Sequence, residues 1–98
     1  MDEQEYSRKY ANLRILKSIQ EYFKSEADTG TAVYPVRIPD DLLVQVLRSK
    51  GPEGVDELIH RIFQMGLRAW SERLYTKEFG SEENLLQFIE LVKRRNKE

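Results

Sequence analysis

One short segment of this sequence alternates apolar side chains and then runs directly into a helix start. It comprises Thr31–Pro39 and is followed at once by Asp40, Asp41 and two leucines. Branched and aromatic residues at these positions predict a β-strand over 31–38, whereas the rest of the chain has helical periodicity. A lone strand cannot satisfy its own backbone N–H and C=O groups. The sequence therefore predicts a homodimer in which two copies of the strand pair as an antiparallel ribbon.

The remaining elements are predicted from apolar residues that recur every three or four positions. Gly51 and Pro52 mark a break between two helices, Asp56 suits the N-cap after that break, and Ser81 suits the N-cap of the last helix. The chain is thus predicted as a single domain over 1–98. Its elements are an N-terminal helix at 4–25, a ribbon strand at 31–38, helices at 40–50 and 55–78, and a C-terminal helix at 82–96.

Length and composition limit the kinds of protein that this chain can be. A domain of 98 residues is near the lower end of what a monomeric core stabilises, and dimerisation would add to that core. The chain has no cysteine, which favours a reducing cytoplasm, and its single histidine, His60, cannot build a metal site alone. No apolar run reaches the roughly 20 residues that span a bilayer. We therefore expect a cytoplasmic protein with no cofactor and no membrane partner.

Charge gives little support for a nucleic-acid partner. Sixteen basic residues stand against seventeen acidic ones, for a formal net charge of −1, and the two signs are balanced along the chain. Strongly basic domains bind nucleic acid because neutralising phosphates releases counterions. Only 93–97 is locally basic, and cations there complement the dipole at a helix end.

No arrangement of residues in the sequence indicates catalysis. There is no Ser-His-Asp or Cys-His set, no glycine-rich phosphate loop, and no pair of carboxylates in an apolar context that would make a tuned acid and base. The acidic residues fall at helix starts or at polar positions. The sequence therefore predicts a protein that is not an enzyme.

Two motifs in order resemble those of the ribbon-helix-helix (Arc/MetJ-like) family of DNA-binding proteins. The first is the strand end and helix start over 34–43, with alternating apolar residues, a basic residue, proline, acidic residues and leucines. The second, over 56–67, is similar to the second helix of the family. The likeness covers about 31–75 and implies a mainly α fold with one short β-strand. In that fold a ribbon-helix-helix core forms an intertwined homodimer, here with extra N- and C-terminal helices.

The resemblance also implies roles for side chains, because neighbouring residues of a strand point to opposite faces. Val33, Pro35 and Arg37 would face outward, and Arg37 has the fork of donors that suits guanine O6 and N7 in the major groove. The expected phosphate contacts are Arg48, Lys50 and Arg61. The inward side chains would form the dimer core, which comprises Tyr34, Val36, Ile38, Leu58, Ile59, Ile62 and Phe63.

Two functions follow from this interpretation. In the first, the protein is a dimeric transcriptional regulator that inserts its ribbon into double-stranded DNA. In the second, the same fold is a dimerisation scaffold that binds another protein through its terminal helices, without DNA. The near-neutral charge, Val33, Pro35 and the acidic residues Glu53, Asp56 and Glu57 at a helix start favour the second. The fold of the family that the chain resembles favours the first, which is therefore the predicted function, with the scaffold as its alternative.

Overall fold

Three helices account for most of the chain in the computed structural model, which describes residues 1–24 and 30–97. They are α1 (Glu3–Lys24), α2 (Asp40–Glu78) and α3 (Glu82–Lys97). Over these residues, none of the three helices combines the length and the apolarity that crossing a bilayer requires.

The predicted ribbon strand is absent, so the ribbon-helix-helix fold class is wrong for this structure. Residues 30–39 form neither helix nor strand, and the described part of the chain contains no sheet. The physical reason is the one that makes any lone strand unstable: among the described residues, no second strand is available to accept and donate its ladder hydrogen bonds. A ribbon-helix-helix core requires such a ladder, whereas the structure here is all-helical.

Helix α1 begins one residue earlier than predicted. The Asp2 carboxylate accepts a hydrogen bond from the Glu5 N–H at 2.7 Å, and the Asp2 carbonyl accepts one from Tyr6 at 3.0 Å. Asp2 therefore caps the helix, which explains the earlier start. The predicted helix over 4–25 is otherwise confirmed to Lys24, while Ser25 and the predicted connector up to residue 29 lie outside the described residues.

The two predicted middle helices are joined into α2, with a kink where the break was expected. Gly51 has φ 73° and ψ −176°, a conformation that is nearly exclusive to glycine. Helical geometry resumes at Pro52, so the prediction of Asp56 as an N-cap is wrong: Asp56 lies inside a continuing helix. Gly54 is also required here, because a Cβ on it would lie 2.2 Å from the Lys50 Cβ.

The end of α2 and the start of α3 are confirmed as predicted. Gly80, with φ 79°, donates its N–H to the Tyr75 carbonyl at 3.1 Å and so ends α2. Ser81 then caps α3, since its hydroxyl accepts a hydrogen bond from the Asn84 N–H at 3.2 Å.

The described residues fall into two units. The terminal unit combines residues from 1–29 and 69–98, and the central unit is Gly30–Arg68. The terminal unit has an apolar core centred on Phe79, Phe88 and Val92. Aromatic and leucine side chains from all three helices pack around this core; they are Tyr6, Tyr10, Leu13, Leu16, Tyr75 and Leu85.

Polar contacts tie α1 to the end of α2 within the terminal unit. Arg8 Nε donates to Glu78 Oε1 at 3.0 Å, and Lys9 Nζ donates to the Glu78 carbonyl at 2.7 Å. The hydrogen bond that Arg8 donates to the Glu78 carboxylate raises the pKa of the Arg8 guanidinium above its ordinary value. The Arg95 guanidinium pairs with Glu3 and lies 3.8 Å from the centre of the Tyr6 ring. These contacts fix the register of α1 against its neighbours.

The central unit differs from the terminal unit in one essential respect: it has no buried apolar side chain. The buried hydrophobic residues of the described chain are Ile19, Phe79, Phe88 and Val92, all of which lie in the terminal unit. The only buried residue between 30 and 68 is Gly54. This unit therefore lacks the hydrophobic core that ordinarily stabilises a folded segment of its length.

Candidate association surface

Large apolar side chains of the central unit lie in solvent. In the segment 30–39, Val33 is 99% exposed and Tyr34 is 85% exposed, with Val36 also largely exposed. On α2 the same holds for Leu42, Val44, Leu47, Ile62, Phe63 and Met65. A soluble monomer rarely shows so many large apolar groups on so short a segment, and such surfaces mark contacts with other molecules.

The second half of the central unit has an apolar side that covers more than half of the helix circumference. At 100° per residue, the apolar positions between 58 and 67 span an arc of about 200°. That arc contains Leu58, Ile59, Ile62, Phe63, Met65, Gly66 and Leu67. A Cβ added to Gly66 would meet no atom within 4 Å, so the middle of this side has room for a close neighbour.

The opposite side of the same turns is polar and carries its charges in order. Glu57 stands near its start, and Arg61 and Arg68 stand towards its end, whereas Asp56 falls at an angle inside the apolar arc. Arg61 Nη2 pairs with Glu57 Oε1 at 3.1 Å, one helical turn away. Because both side chains are well exposed, this pair contributes little to stability.

The residues predicted as the dimer core are all accessible in the single chain. Tyr34, Val36, Ile62 and Phe63 are exposed. The other three, Ile38, Leu58 and Ile59, are half-buried. The structure thus leaves every member of this set partly uncovered, and α2 brings only Leu58, Ile59, Ile62 and Phe63 together on one helix side.

The residues predicted to contact DNA are also exposed. Val33, Pro35 and Arg37 occupy alternate positions in the segment 30–39. Arg48 and Lys50 lie on the first half of α2. Among the described residues, no carboxylate pairs with Arg37, Arg48 or Lys50. Arg61 differs, since its guanidinium is held by Glu57.

Two apolar residues of this surface were not identified from the sequence. Val44 and Met65 each lie next to a stripe of apolar residues on α2. Both side chains are exposed, and that of Met65 is 70% exposed. Their signal was present in the pattern, because apolar residues at Leu43-Val44 and at Met65-Gly66-Leu67 widen the apolar arc beyond a single stripe. A helix with so wide an apolar arc needs a neighbour on more than one side.

A metal site is not apparent in the part of the chain that the structure describes. No group of three His, Cys, Asp or Glu side chains in residues 1–24 and 30–97 is placed to hold a metal ion. Comparison of the sequence and the structure with protein-family models, curated proteins and solved structures finds no match to this chain.

Proposed function

We propose that this chain is a protein–protein association module whose central unit, Gly30–Arg68, binds a second copy of itself. The observation that carries the proposal is the absence of any buried apolar side chain in this unit, together with nine large apolar residues in solvent. Burying that surface is the main favourable term available to the unit, because its own fold buries none of it. In a homodimer, the exposed apolar residues of each copy would be buried against those of the other copy.

The exposed apolar area matches what a dimer needs. The exposed fractions of the nine side chains together equal about five and a half full side chains, each offering about 60–120 Å². This gives roughly 500 Å² of apolar surface on each copy. A standard interface buries about 800 Å² on each partner, of which about 65% is apolar in homodimers. The two estimates of apolar area are therefore equal within their precision.

The composition of the apolar surface suits a second copy as the partner. Between positions 58 and 67 the apolar arc carries no charged side chain, and Glu57, Arg61 and Arg68 lie on the opposite side of the helix, as in a homodimer interface whose core is depleted of charge. A two-fold interface uses the same patch on both copies, so one favourable contact is made twice. The absence of cysteine favours a reducing, cytoplasmic setting for this assembly.

Sedimentation velocity over a range of protein concentrations tests the proposal. We expect a reversible monomer–dimer equilibrium or a stable dimer, with Ile62→Asp shifting the protein to monomer because it places a carboxylate in the apolar interface. Gln45→Asp is the matched control: it adds the same charge to an exposed position of the same helix and should leave the dimer intact. A wild-type protein that stays monomeric at about 100 µM would refute the proposal.

Double-stranded DNA is a second candidate partner, favoured by one specific observation. Arg37, Arg48 and Lys50 are exposed cations in one unit, and no described carboxylate neutralises them. A dimer would present this set twice, which increases the number of phosphates that it contacts. Five acidic residues of the same unit oppose such binding, so association with a second copy is the better-supported function.

Fluorescence anisotropy with a labelled duplex at low salt tests this second candidate. Binding by the central unit predicts an affinity that falls steeply with salt and that Arg37→Ala weakens. Arg94→Ala removes an exposed guanidinium from α3 and serves as the matched control. No anisotropy change at low salt, or an equal loss with both variants, would exclude the central unit as a DNA-binding surface.

A further inference from the structure

A cavity of about 410 Å³ lies in the terminal unit. Its apolar wall is formed by Met1, Phe79, Phe88 and Leu91, and its polar wall is formed by Lys9, Glu78, Asn84 and Gln87. Ligand-binding cavities in proteins enclose about 300–1,000 Å³ and combine an apolar lining with a few polar groups. This cavity has the volume for one ring with a small substituent.

Lys9 contributes an ammonium group to the cavity wall. This group has three N–H donors, of which one is used on the Glu78 carbonyl at 2.7 Å. The Glu78 carboxylate is only 6% exposed and is already paired with Arg8 at 3.0 Å. The two other N–H donors of Lys9 therefore remain available to an external anion.

Neutral amide groups extend the polar wall. Asn84 Nδ2 donates to the Phe79 carbonyl at 2.9 Å, which holds the Asn84 side chain against the end of α2. Gln87 lines the cavity one helical turn further along α3, and no hydrogen bond joins its amide to another described residue. Its NH₂ group is thus a free donor beside the cation.

The apolar wall is aromatic and well fixed. The rings of Phe79 and Phe88 lie 5.7 Å apart at an angle of 52°, and each residue is almost completely buried. The edge that each ring shows to the cavity is therefore held by the core behind it. A flat ring placed there would gain contacts without rearranging the core.

We propose that this cavity binds a small aromatic carboxylate. The ring of the ligand lies against Phe79, Phe88 and Leu91, and its carboxylate accepts hydrogen bonds from Lys9 Nζ and the Gln87 amide. The same ligand touches α1, α3 and the residue that ends α2, so binding stabilises the terminal unit by mass action. None of the residues that line the site belongs to the proposed association surface.

Titration of the ¹⁵N-labelled full-length chain with benzoate, followed by NMR, tests the proposal. We expect saturable shifts confined to the amides of 9, 79 and 84–91, with a dissociation constant of about 1 mM, a typical affinity for a ligand of this size. Benzyl alcohol keeps the ring without the charge and should bind at least about tenfold more weakly, while benzylamine should not bind. Shifts that do not saturate, or equal binding of all three compounds, would overturn the proposal.

Two variants test whether Lys9 and Gln87 hold the carboxylate of the ligand. Lys9→Met should weaken benzoate binding about tenfold or more, whereas Lys17→Met makes the same substitution on the exposed side of α1 and should not. Because Lys9 also bonds to the Glu78 carbonyl, a thermal melt must show that the variant is folded. Gln87→Ala removes no described contact within the chain, so it should weaken binding several-fold with an unchanged melt. Benzoate binding that survives both substitutions would show that the anion is not held here.

Discussion

Two phenylalanines on helices of this chain form a matched pair for testing where its stability resides. Phe88 of α3 is 4% exposed in the core of the terminal unit, while Phe63 of α2 is 56% exposed in the central unit. Replacing each by alanine removes the same atoms from a helix. The two substitutions therefore differ only in what surrounds the ring.

Phe88→Ala should destabilise the chain at every protein concentration. Its ring lies 5.5 Å from that of Tyr6 and 5.7 Å from that of Phe79, and it fills the centre of the core. Removing such a ring costs about 3–5 kcal/mol through lost burial and the cavity that remains. Urea unfolding followed by circular dichroism measures this loss. If the alanine variant does not fold, Phe88→Leu keeps the comparison measurable because it leaves a smaller cavity.

Phe63→Ala should act mainly on self-association. Fully burying such a side chain contributes about 1.5–3 kcal/mol, so covering the 56% that is exposed contributes about 0.8–1.7 kcal/mol per copy. Two copies lose about 1.7–3.4 kcal/mol, which raises the dimer dissociation constant about 20- to 300-fold. At concentrations where the protein is monomeric, the same substitution should cost only about 1 kcal/mol.

The comparison requires both measurements on both variants. Sedimentation gives the dissociation constants, and urea titrations at low and high protein concentration give the free energies of unfolding. Leu86→Ala, on an exposed position of α3, is the control and should change neither quantity by much. The reasoning is refuted if Phe63→Ala leaves the dissociation constant unchanged, or if it destabilises the dilute monomer as strongly as Phe88→Ala does.

Three further predictions concern the kink at Gly51, the cap of α3 at Ser81 and the difference in hydrogen exchange between the two units. Gly51→Ala should lower the free energy of unfolding in urea by about 1–3 kcal/mol, because alanine is strained at a φ of 73°. Gly66→Ala, at an open position within the helix, should instead raise that free energy by about 0.5–1 kcal/mol for the dilute monomer. Equal effects of the two substitutions would contradict the kink at Gly51. Ser81→Ala should lower the free energy of unfolding by about 1 kcal/mol, and Ser81→Asp should restore it. Hydrogen exchange of a dilute sample should be slow for core amides of the terminal unit and fast for Gly30–Arg68, with protection of the latter growing as the dimer forms.

The sequence predicted the helices well because their signals are local. Helical periodicity located α1 and α3 within one or two residues, and the Gly51-Pro52 pair marked the kink in α2. Periodicity does not say which aromatic residues reach the core: Tyr6, Tyr75 and Phe79 lie in or against the core of the terminal unit. Trp70, on the same helix as Tyr75, is 48% exposed. Its placement depends on tertiary packing, which periodicity does not report.

The strand prediction failed for a different physical reason. Val33, Tyr34 and Val36 have a genuine preference for extended backbone, but β-structure is a property of a pair of strands and not of one segment. The part of the chain that the structure describes contains no second strand, so the preference stays unfulfilled over 30–39. The cavity and the Arg8–Glu78 pair were missed because they join residues about seventy positions apart. No spacing rule connects such residues before the fold is known.

Apolar residues are buried in the terminal unit and exposed in the central unit, so the two parts of this 98-residue chain serve different purposes. The terminal unit places its aromatic residues inside, around Phe79 and Phe88, and so stabilises itself. The central unit contains side chains of equal apolarity, yet the chain covers none of them completely. Mutation of the terminal core should therefore abolish folding and association together, whereas mutation of the central surface should remove association and leave the terminal unit folded. This asymmetry is what a module needs if assembly is to be controlled without loss of the fold.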